Sequence, residues 1–405
     1  MKVSMCMFGP TAHGETPAKT ARTLKSVGVN EVVYFTSLYH GYRLLQPRFP
    51  SKAIYTLEAD RVFWDPDPAY YKDSSIKPQK SADFGDKDNV AAMITALHKE
   101  GIAFSPLVPM CAAERIVQDR PDLAVENLYG AKDRLFLCYN NPEVRAYRIA
   151  MVRELSARYD IDHLMLDKIP QIMLEQSAFN GLIDPPLRTV GSFCFCRHCV
   201  ARARKSGIDL NEIKRRSLVI ARRSLDMPPW LIAAQGAKLI GDTEIPLLLL
   251  EEPLLHTMLQ FRFETAVEFV GEIRAILKRN KPRADLQAAF VPPSHVGHDM
   301  TSPRSWLTSQ SYQKYRGQVD EIFCCIHAEP DIVRFEIARA VAAAEGAVRV
   351  VASMRLYGKT RPEEVAAMCD GALEAGSAGV SLLGYDVTSD CLLHALKTWV
   401  KSRRT

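Results

Sequence analysis

Long hydrophobic runs are scarce in this sequence of 405 residues. The longest apolar run lies around 245–250 and is interrupted by Glu251, Glu252 and Pro253. No segment reaches the roughly 18 consecutive apolar residues that a membrane-spanning helix needs. Residues 1–10 are too few for the apolar core and cleavage site of a secretory signal, and they fit a first strand better. The sequence therefore predicts a soluble cytoplasmic protein with no membrane partner.

Concentrated positive charge is also missing. The formal net charge is +5, and the densest basic clusters are the short segments 214–216 and 403–404. Proteins that bind nucleic acids concentrate such charge on one face or tail, so the scattered charge favours an ordinary solvated surface and no nucleic-acid partner. The phosphate-binding patterns G-x-G-x-x-G and G-x-x-x-x-G-K-[ST] are absent as well, which counts against an open nucleotide-binding sheet.

What the sequence does have is an alternation of short apolar runs with longer amphipathic stretches. Its composition, 47% hydrophobic and 24% charged, is typical of a globular protein with a large core. Eight predicted strands are each followed by a predicted helix, and the strands lie at 3–8, 31–37, 102–108, 163–169, 285–291, 321–327, 348–355 and 379–384. Uniformly apolar strands indicate a parallel sheet covered on both faces. Eight such units predict a closed (β/α)8 or TIM barrel, with an open doubly wound sheet as the alternative.

The predicted organisation is therefore of the α/β class, with a single catalytic barrel over 1–405 and an insertion after strand four over 170–254. A helix is predicted at 305–316, after strand five. Thr360 and Glu363 match the capping box S/T-x-x-E at the start of the helix that follows strand seven. The apolar stretch 245–259 is predicted to be a core helix, with the interface of a homo-oligomer as the alternative.

Acidic residues follow several of the predicted strands, at the end of the barrel where this fold places its active sites. Asp167 ends the apolar run 164–166, Glu329 follows strand six, and Asp386 follows strand eight. Burying a carboxylate such as Asp167 costs several kcal/mol unless it is paired, which makes it the most informative of the three. These acids are candidate catalytic residues. The structural alternatives are that Asp167 caps a loop or pairs with a base, that Glu329 starts a helix, and that Asp386 sits in a turn.

Aromatic and basic residues at the same strand ends are candidates for binding a sugar, namely Tyr39, His40, His327, Arg355 and Tyr385. A carboxylate pair separated by about 5–9 Å is the minimal machinery for cleaving a glycoside. The sequence thus predicts an enzyme that hydrolyses a small glycoside, with carbohydrate as its small-molecule partner. The alternative for residues 39–42 is a loop that packs as a lid over the barrel, because such a loop would use the same residue types.

Two other functions remain open on the same barrel. A metal-dependent isomerase, epimerase or lyase of sugars would use an open site drawn from His295, His298, Asp299, His327 and Glu329. A non-catalytic carbohydrate-binding barrel would bind a sugar without turning it over.

Three cysteines within six residues, Cys194, Cys196 and Cys199, form a C-x-C-x-x-C pattern. In a cytoplasmic protein such clusters are typical of metal sites. A structural zinc site needs a fourth ligand, for which Cys138 is a better candidate than His198. A closed four-cysteine site leaves no position for substrate, so we expect a structural zinc ion, with a reduced and metal-free cluster as the alternative. The remaining cysteines considered are interpreted as core residues, namely Cys6, Cys324, Cys325, Cys369 and Cys391.

The segment from Cys138 through 139–147, the strand-four acid Asp167 and the C-x-C-x-x-C pattern resembles the (β/α)8 barrels of glycoside hydrolases. The order is similar to the zinc-binding part of family 42 β-galactosidases, and closer to uncharacterised barrels described as hypothetical glycosyl hydrolases. The resemblance covers 138–205 and implies carbohydrate chemistry. Family 42 enzymes carry Asn-Glu at the end of strand four, where this chain has Asp167 and Lys168. An Asp there is similar to the nucleophile position of α-galactosidase- or fucosidase-type barrels, so the role of Asp167 stays open.

Overall fold

The computed structural model describes residues 1–9, 15–38, 43–45, 54–56, 58–169, 185–226, 244–292, 307–326, 330–355 and 360–403. Eight strands form a closed parallel barrel in which each strand pairs with its neighbours in the chain and the last pairs with the first. These strands are β1 Lys2–Phe8, β2 Glu31–Phe35, β3 Ala103–Pro109, β4 His163–Asp167, β5 Asp285–Phe290, β6 Glu321–Ile326, β7 Arg349–Arg355 and β8 Gly379–Leu383. The predicted TIM barrel is confirmed, and each predicted strand lies within two residues of its observed bounds.

Helices surround the barrel. In the described residues they are α1 Pro17–Val27, α2 Asn89–Lys99, α3 Glu114–Asp119, α4 Pro142–Arg158, α5 Pro185–Gly191, α6 Arg197–Lys205, α7 Leu210–Leu225, α8 Glu244–Glu251, α9 Pro253–Asn280, α10 Pro330–Ala344, α11 Pro362–Glu374 and α12 Asp390–Ser402. Helices α5 to α9 lie between β4 and β5, where the insertion is predicted. The long helix α9 packs against α4, so its C-terminal part belongs to the ring around the barrel.

Shorter elements lie in the loops between these strands and helices. They are the strands Arg43–Leu45, Ile54–Thr56, Arg61–Val62, Gln79–Lys80, Ala124–Glu126 and Lys132–Leu137, and the 3₁₀ turns Pro68–Tyr71, Ala82–Phe84, Pro121–Leu123 and Tyr385–Val387. Within the described ranges, no helix is both long enough and apolar enough to cross a membrane.

Local capping chemistry explains where the helices begin. The Thr16 side chain accepts the Lys19 N–H ahead of α1, and Gly28, at a φ of 90°, closes that helix. The capping box of α11 lies one residue later than predicted, because the Arg361 N–H donates to Glu364 Oε2 at 2.7 Å. Pro362 then occupies the first helical position, where its missing N–H is not needed.

Two local predictions outside the barrel strands were wrong. The described part of the helix predicted at 305–316 forms turns, and Ser309 adopts a φ of 55°, which a right-handed helix excludes. Cys391 was interpreted as a core residue, but its side chain is exposed. It lies in the first turn of α12, on the side away from the buried residues Leu392 and Leu393. A cysteine in a helix therefore did not by itself indicate burial.

Polar side chains fill the barrel interior at the N-terminal ends of the strands. The Lys2 ammonium lies 2.6 Å from Glu31 Oε2 and 2.5 Å from Glu321 Oε2. Gln287 donates to both of these carboxylates, at 3.1 and 2.8 Å. Because these contacts join strands across the barrel, they identify which face of each strand points inward. Side chains two and four residues further along the same strands also point inward.

Candidate active site and candidate metal centre

Asp167 is the last residue of β4, and its side chain points into the barrel. His163, four residues earlier on the same face, places Nε2 3.5 Å from the inward-facing Glu31 carboxylate. The Asp167 Oδ1 atom accepts the Lys168 N–H at 2.8 Å. Asp167 is partly exposed, whereas the preceding three residues of the strand are buried. The carboxyl group therefore lies at the C-terminal end of the barrel, where the packed interior ends.

Burial raises the pKa of Asp167 above its ordinary value, although the positive charges of Lys168 and Arg355 oppose this shift. Arg355 ends β7 and is also partly exposed. A carboxyl group that holds its proton to a higher pH than usual is suited to proton transfer. The structure thus brings together two of the predicted site residues, Asp167 and Arg355, around one end of the barrel.

Cys325 was interpreted as a core residue, but the structure places it at this site. It lies on the inward face of β6, four residues after Glu321, and it is partly exposed. Burial, together with the nearby negative charge of Asp167, raises the pKa of the Cys325 thiol to about 11. The thiol is therefore neutral at ordinary pH. Glu321 and Cys325 lie on the same face of β6, so the inward position of Glu321 in the closed barrel places Cys325 inward as well.

An aromatic pair at the ends of β1 and β2 was also missed. The rings of Phe8 and Phe35 stack with their centroids 4.7 Å apart. Phe8 is partly exposed and packs against the barrel core. These rings add an apolar wall at the same end of the barrel as Asp167.

Asp386 and Tyr385 are both fully buried in the turn that follows β8. Asp386 Oδ2 accepts the Phe8 N–H at 2.7 Å. The Tyr385 hydroxyl donates to Glu15 Oε2 at 2.8 Å, and the Thr20 hydroxyl donates to the same oxygen at 3.0 Å. Glu15 is a buried acid that sequence reasoning missed, and no sequence pattern marks it. The catalytic role of Asp386 and the substrate contact of Tyr385 stay predictions.

The other predicted site residues lie outside the described part of the chain. These are Tyr39, His40, His327 and Glu329, together with His295, His298 and Asp299 of the alternative metal site.

Four cysteines meet beside the barrel in the predicted combination. Cys138, Cys194, Cys196 and Cys199 are buried, and their sulfur atoms all lie within 4.8 Å of one another. The Cys138 sulfur lies 3.5 Å from those of Cys196 and Cys199 and 3.9 Å from that of Cys194. Four sulfurs around a tetrahedral zinc at ~2.3 Å are separated by about 3.8 Å. This cluster could therefore hold a metal ion with little rearrangement.

The surroundings of the cluster favour thiolates. Cys196 is the N-cap of α6 and Cys199 lies in its first turn, where the positive end of the helix dipole stabilises negative charge. Hydrogen bonds from the other three cysteines lower the pKa of Cys196, and shared hydrogen bonds raise the pKa of Cys138. Asn140 Nδ2 donates to the Cys199 sulfur at 3.4 Å. The N-terminus of α6 and the Asn140 amide therefore both favour negative charge on these sulfurs.

Comparison with known proteins finds the same barrel fold in several solved structures. No protein-family profile matches the chain, and no curated protein sequence is similar to it. In solved structures, the chain is similar to the PgaB (BpsB) glycoside hydrolase domain from Bordetella bronchiseptica, with 11% identity, 98% of each chain covered and a TM-score of 0.60. This fold is a glycoside-hydrolase-like (β/α)8 barrel.

Two further neighbours are larger than this chain. The alpha-L-fucosidase isoenzyme 2 from Paenibacillus thiaminolyticus has 14% identity and a TM-score of 0.55, and the match covers 100% of this chain and 49% of that one. A beta-galactosidase from the haloarchaeon Halorubrum lacusprofundi has 10% identity and a TM-score of 0.58, with 100% and 58% covered. The chain thus spans about half the length of these two enzymes. At such identities the likeness concerns the fold alone.

Proposed function

We propose that this protein is a glycoside hydrolase that acts on a small glycoside, with Asp167 as one of its two catalytic carboxyl groups. The observation that carries the proposal is the position of Asp167. It is an inward-facing and partly exposed acid with a raised pKa, at the C-terminal end of a barrel whose structural neighbours are glycoside hydrolases. In this fold, active sites form at that end of the barrel.

The chemistry requires two carboxyl groups on opposite sides of the scissile bond. One donates a proton to the leaving oxygen, and the other attacks the anomeric carbon or activates a water molecule. The raised pKa of Asp167 favours the proton-donating role. Asp386 already accepts the Phe8 N–H from a fully buried position, which favours Glu329 as the second carboxylate. Arg355 would bind hydroxyl groups of the sugar.

The test is turnover of a panel of α- and β-linked 4-nitrophenyl glycosides by the purified protein and its variants. We expect D167N to lower kcat/KM about 100-fold or more, the usual range for loss of a proton-transferring group. D285N, at the opposite end of the barrel, is the matched control and should leave turnover unchanged. E329Q and D386N then identify the second carboxylate. A folded D167N protein with full turnover would rule out this mechanism.

We also propose that the four clustered cysteines hold a structural zinc ion. The separations between their sulfurs, 3.5 to 3.9 Å from Cys138, fit tetrahedral coordination, and a closed site of four cysteines leaves no position for substrate. Zinc there would tie Cys138, next to α4, to the helices between β4 and β5. Elemental analysis should find one zinc per chain that is not needed for turnover. A second and labile metal that turnover requires would instead support the metal-dependent isomerase, epimerase or lyase.

A further inference from the structure

The proposed metal centre has a charge that its surroundings must balance. Four thiolates carry four negative charges and a divalent ion neutralises two, so the loaded centre keeps a net double negative charge. All four cysteines are buried beside the apolar rings of Phe193, Phe195 and Phe261. Removing such a charge from water is strongly unfavourable unless a cation is buried with it.

Arg262 on α9 is a buried cation at this position, with only 3% of its surface exposed. Its guanidinium lies over the ring of Phe193, the residue before Cys194, at 5.8 Å from the centroid. Its backbone carbonyl accepts the hydroxyl of Tyr139, the residue after Cys138, at 3.0 Å. The structure therefore attaches Arg262 to both chain segments that supply the sulfurs.

The electrostatic surroundings of Arg262 agree with this placement. Burial lowers the pKa of Arg262, and negative charge on Cys194 and Cys199 opposes that shift. Arg145, which is buried at 9% exposure on α4, provides the contrast. It contacts the carboxylates of Glu268 and Glu272, at 3.4 and 2.5 Å. Arg145 pairs with carboxylates, whereas the negative charges that raise the pKa of Arg262 are those of Tyr139, Cys194 and Cys199.

We propose that Arg262 is the counter-cation of the metal centre, offsetting half of the net charge of a divalent metal–tetrathiolate and so strengthening metal binding. This inference rests on the proposed metal centre. It makes Arg262 a positioning residue that touches no metal itself. It also gives α9, part of the ring around the barrel, a direct electrostatic contribution to the affinity of the cluster.

The first experiment measures how fast the zinc-loaded protein transfers its metal to a chromophoric chelator. We expect R262Q to release zinc about 10 to 100 times faster than the unchanged protein, the usual effect of losing a supporting residue of a metal site. R262K keeps the charge and should stay much closer to the original rate. R145Q removes another buried arginine, one that is paired with carboxylates, and it should leave the release rate unchanged. R262M replaces R262Q if the latter does not fold.

A second readout separates charge from packing. In protein produced with iron in place of zinc, the ferric tetrathiolate carries one negative charge and the ferrous form carries two. Loss of a neighbouring positive charge disfavours the ferrous form, so we expect R262Q to lower the midpoint potential and R262K to lower it less. A tenfold change in the equilibrium corresponds to about 59 mV for one electron.

The outcomes distinguish the two proposals. If the unchanged protein binds neither zinc nor iron at the four cysteines, the metal centre itself is refuted. If it binds metal, but R262Q, R262K and the unchanged protein share one release rate and one potential, the metal centre stands and the role of Arg262 is refuted.

Discussion

Glu154 on α4 is a fully buried carboxylate that holds the connection between β2 and α2 against the barrel. Its Oε2 atom accepts the Trp64 indole N–H at 3.0 Å and the Tyr71 hydroxyl at 2.6 Å. Its Oε1 atom accepts the Asp67 N–H at 2.6 Å and an Arg158 N–H at 2.5 Å. Four donors thus converge on one side chain, and the ionised form accepts from all of them.

E154Q keeps the shape of the side chain but replaces one oxygen by a donor, which then faces two other donors. Each buried donor left without an acceptor costs about 1–3 kcal/mol. Two such donors therefore give an expected loss of about 2–6 kcal/mol in the free energy of unfolding. Urea denaturation at pH 7, followed by circular dichroism, measures this loss.

The matched control is E143Q on the same helix. Glu143 has 26% of its side chain exposed and accepts the Ser75 N–H at 3.2 Å, so water can replace that contact. We expect the free energy of unfolding of E143Q to fall by less than about 1 kcal/mol, as is usual for exposed ion pairs such as that between Glu143 and Arg120. A loss in E154Q no larger than that in E143Q would show that the four contacts to Glu154 do not stabilise the fold as argued.

Three further outcomes follow from other charged groups. K2M removes the lysine from the buried carboxylate of Glu31 and leaves Glu321 with Arg349 as its cation. It should cost about 3–5 kcal/mol in urea denaturation, and a loss below about 1 kcal/mol would contradict this. Desolvation opposes ionisation of Asp320, but hydrogen bonds led by Arg274 lower its pKa to about 2. D320N should therefore be less stable than the unchanged protein at pH 7, and the difference in melting temperature should vanish as the pH falls from about 4 to 2. Burial raises the pKa of Asp167, so its ionised form destabilises the folded state. D167N should melt at a higher temperature than the unchanged protein at neutral pH, and this advantage should disappear below the ordinary pKa of an Asp, near 4. A constant difference at every pH would contradict the raised pKa.

The sequence was informative about the barrel because the signals are local. Uniformly apolar runs predicted the strands within two residues of their observed ends, and the capping box at 360–363 predicted the start of α11 to within one residue. The prediction of a helix at 305–316 failed, because the backbone of Ser309 turns away from helical geometry. The residue type did not indicate the positive φ of Ser309, because a serine adopts that backbone conformation only where the surrounding structure imposes it.

At the candidate site, too, some residues could be named from the sequence and others only from the structure. Asp167 and Arg355 could be named because both end a strand, and a barrel brings all strand ends to one rim. The inward orientation of Cys325 and the burial of Asp386 depend on strand tilt and on the packing of the turn after β8. Both are properties of the closed barrel as a whole, so neither was visible in the order of residues.

The sequence by itself determined the order of strands and helices and the three cysteines of the C-x-C-x-x-C pattern, because periodicity, capping and ligand spacing act over a few residues. Only the tertiary structure brought Arg262 to the cysteines, four donors to Glu154, and Lys2 to Glu321. Apart from the Arg158 contact within α4, these contacts join residues far apart in the chain. Their existence depends on the register of the closed barrel and on how its helices pack, which no local stretch of sequence specifies.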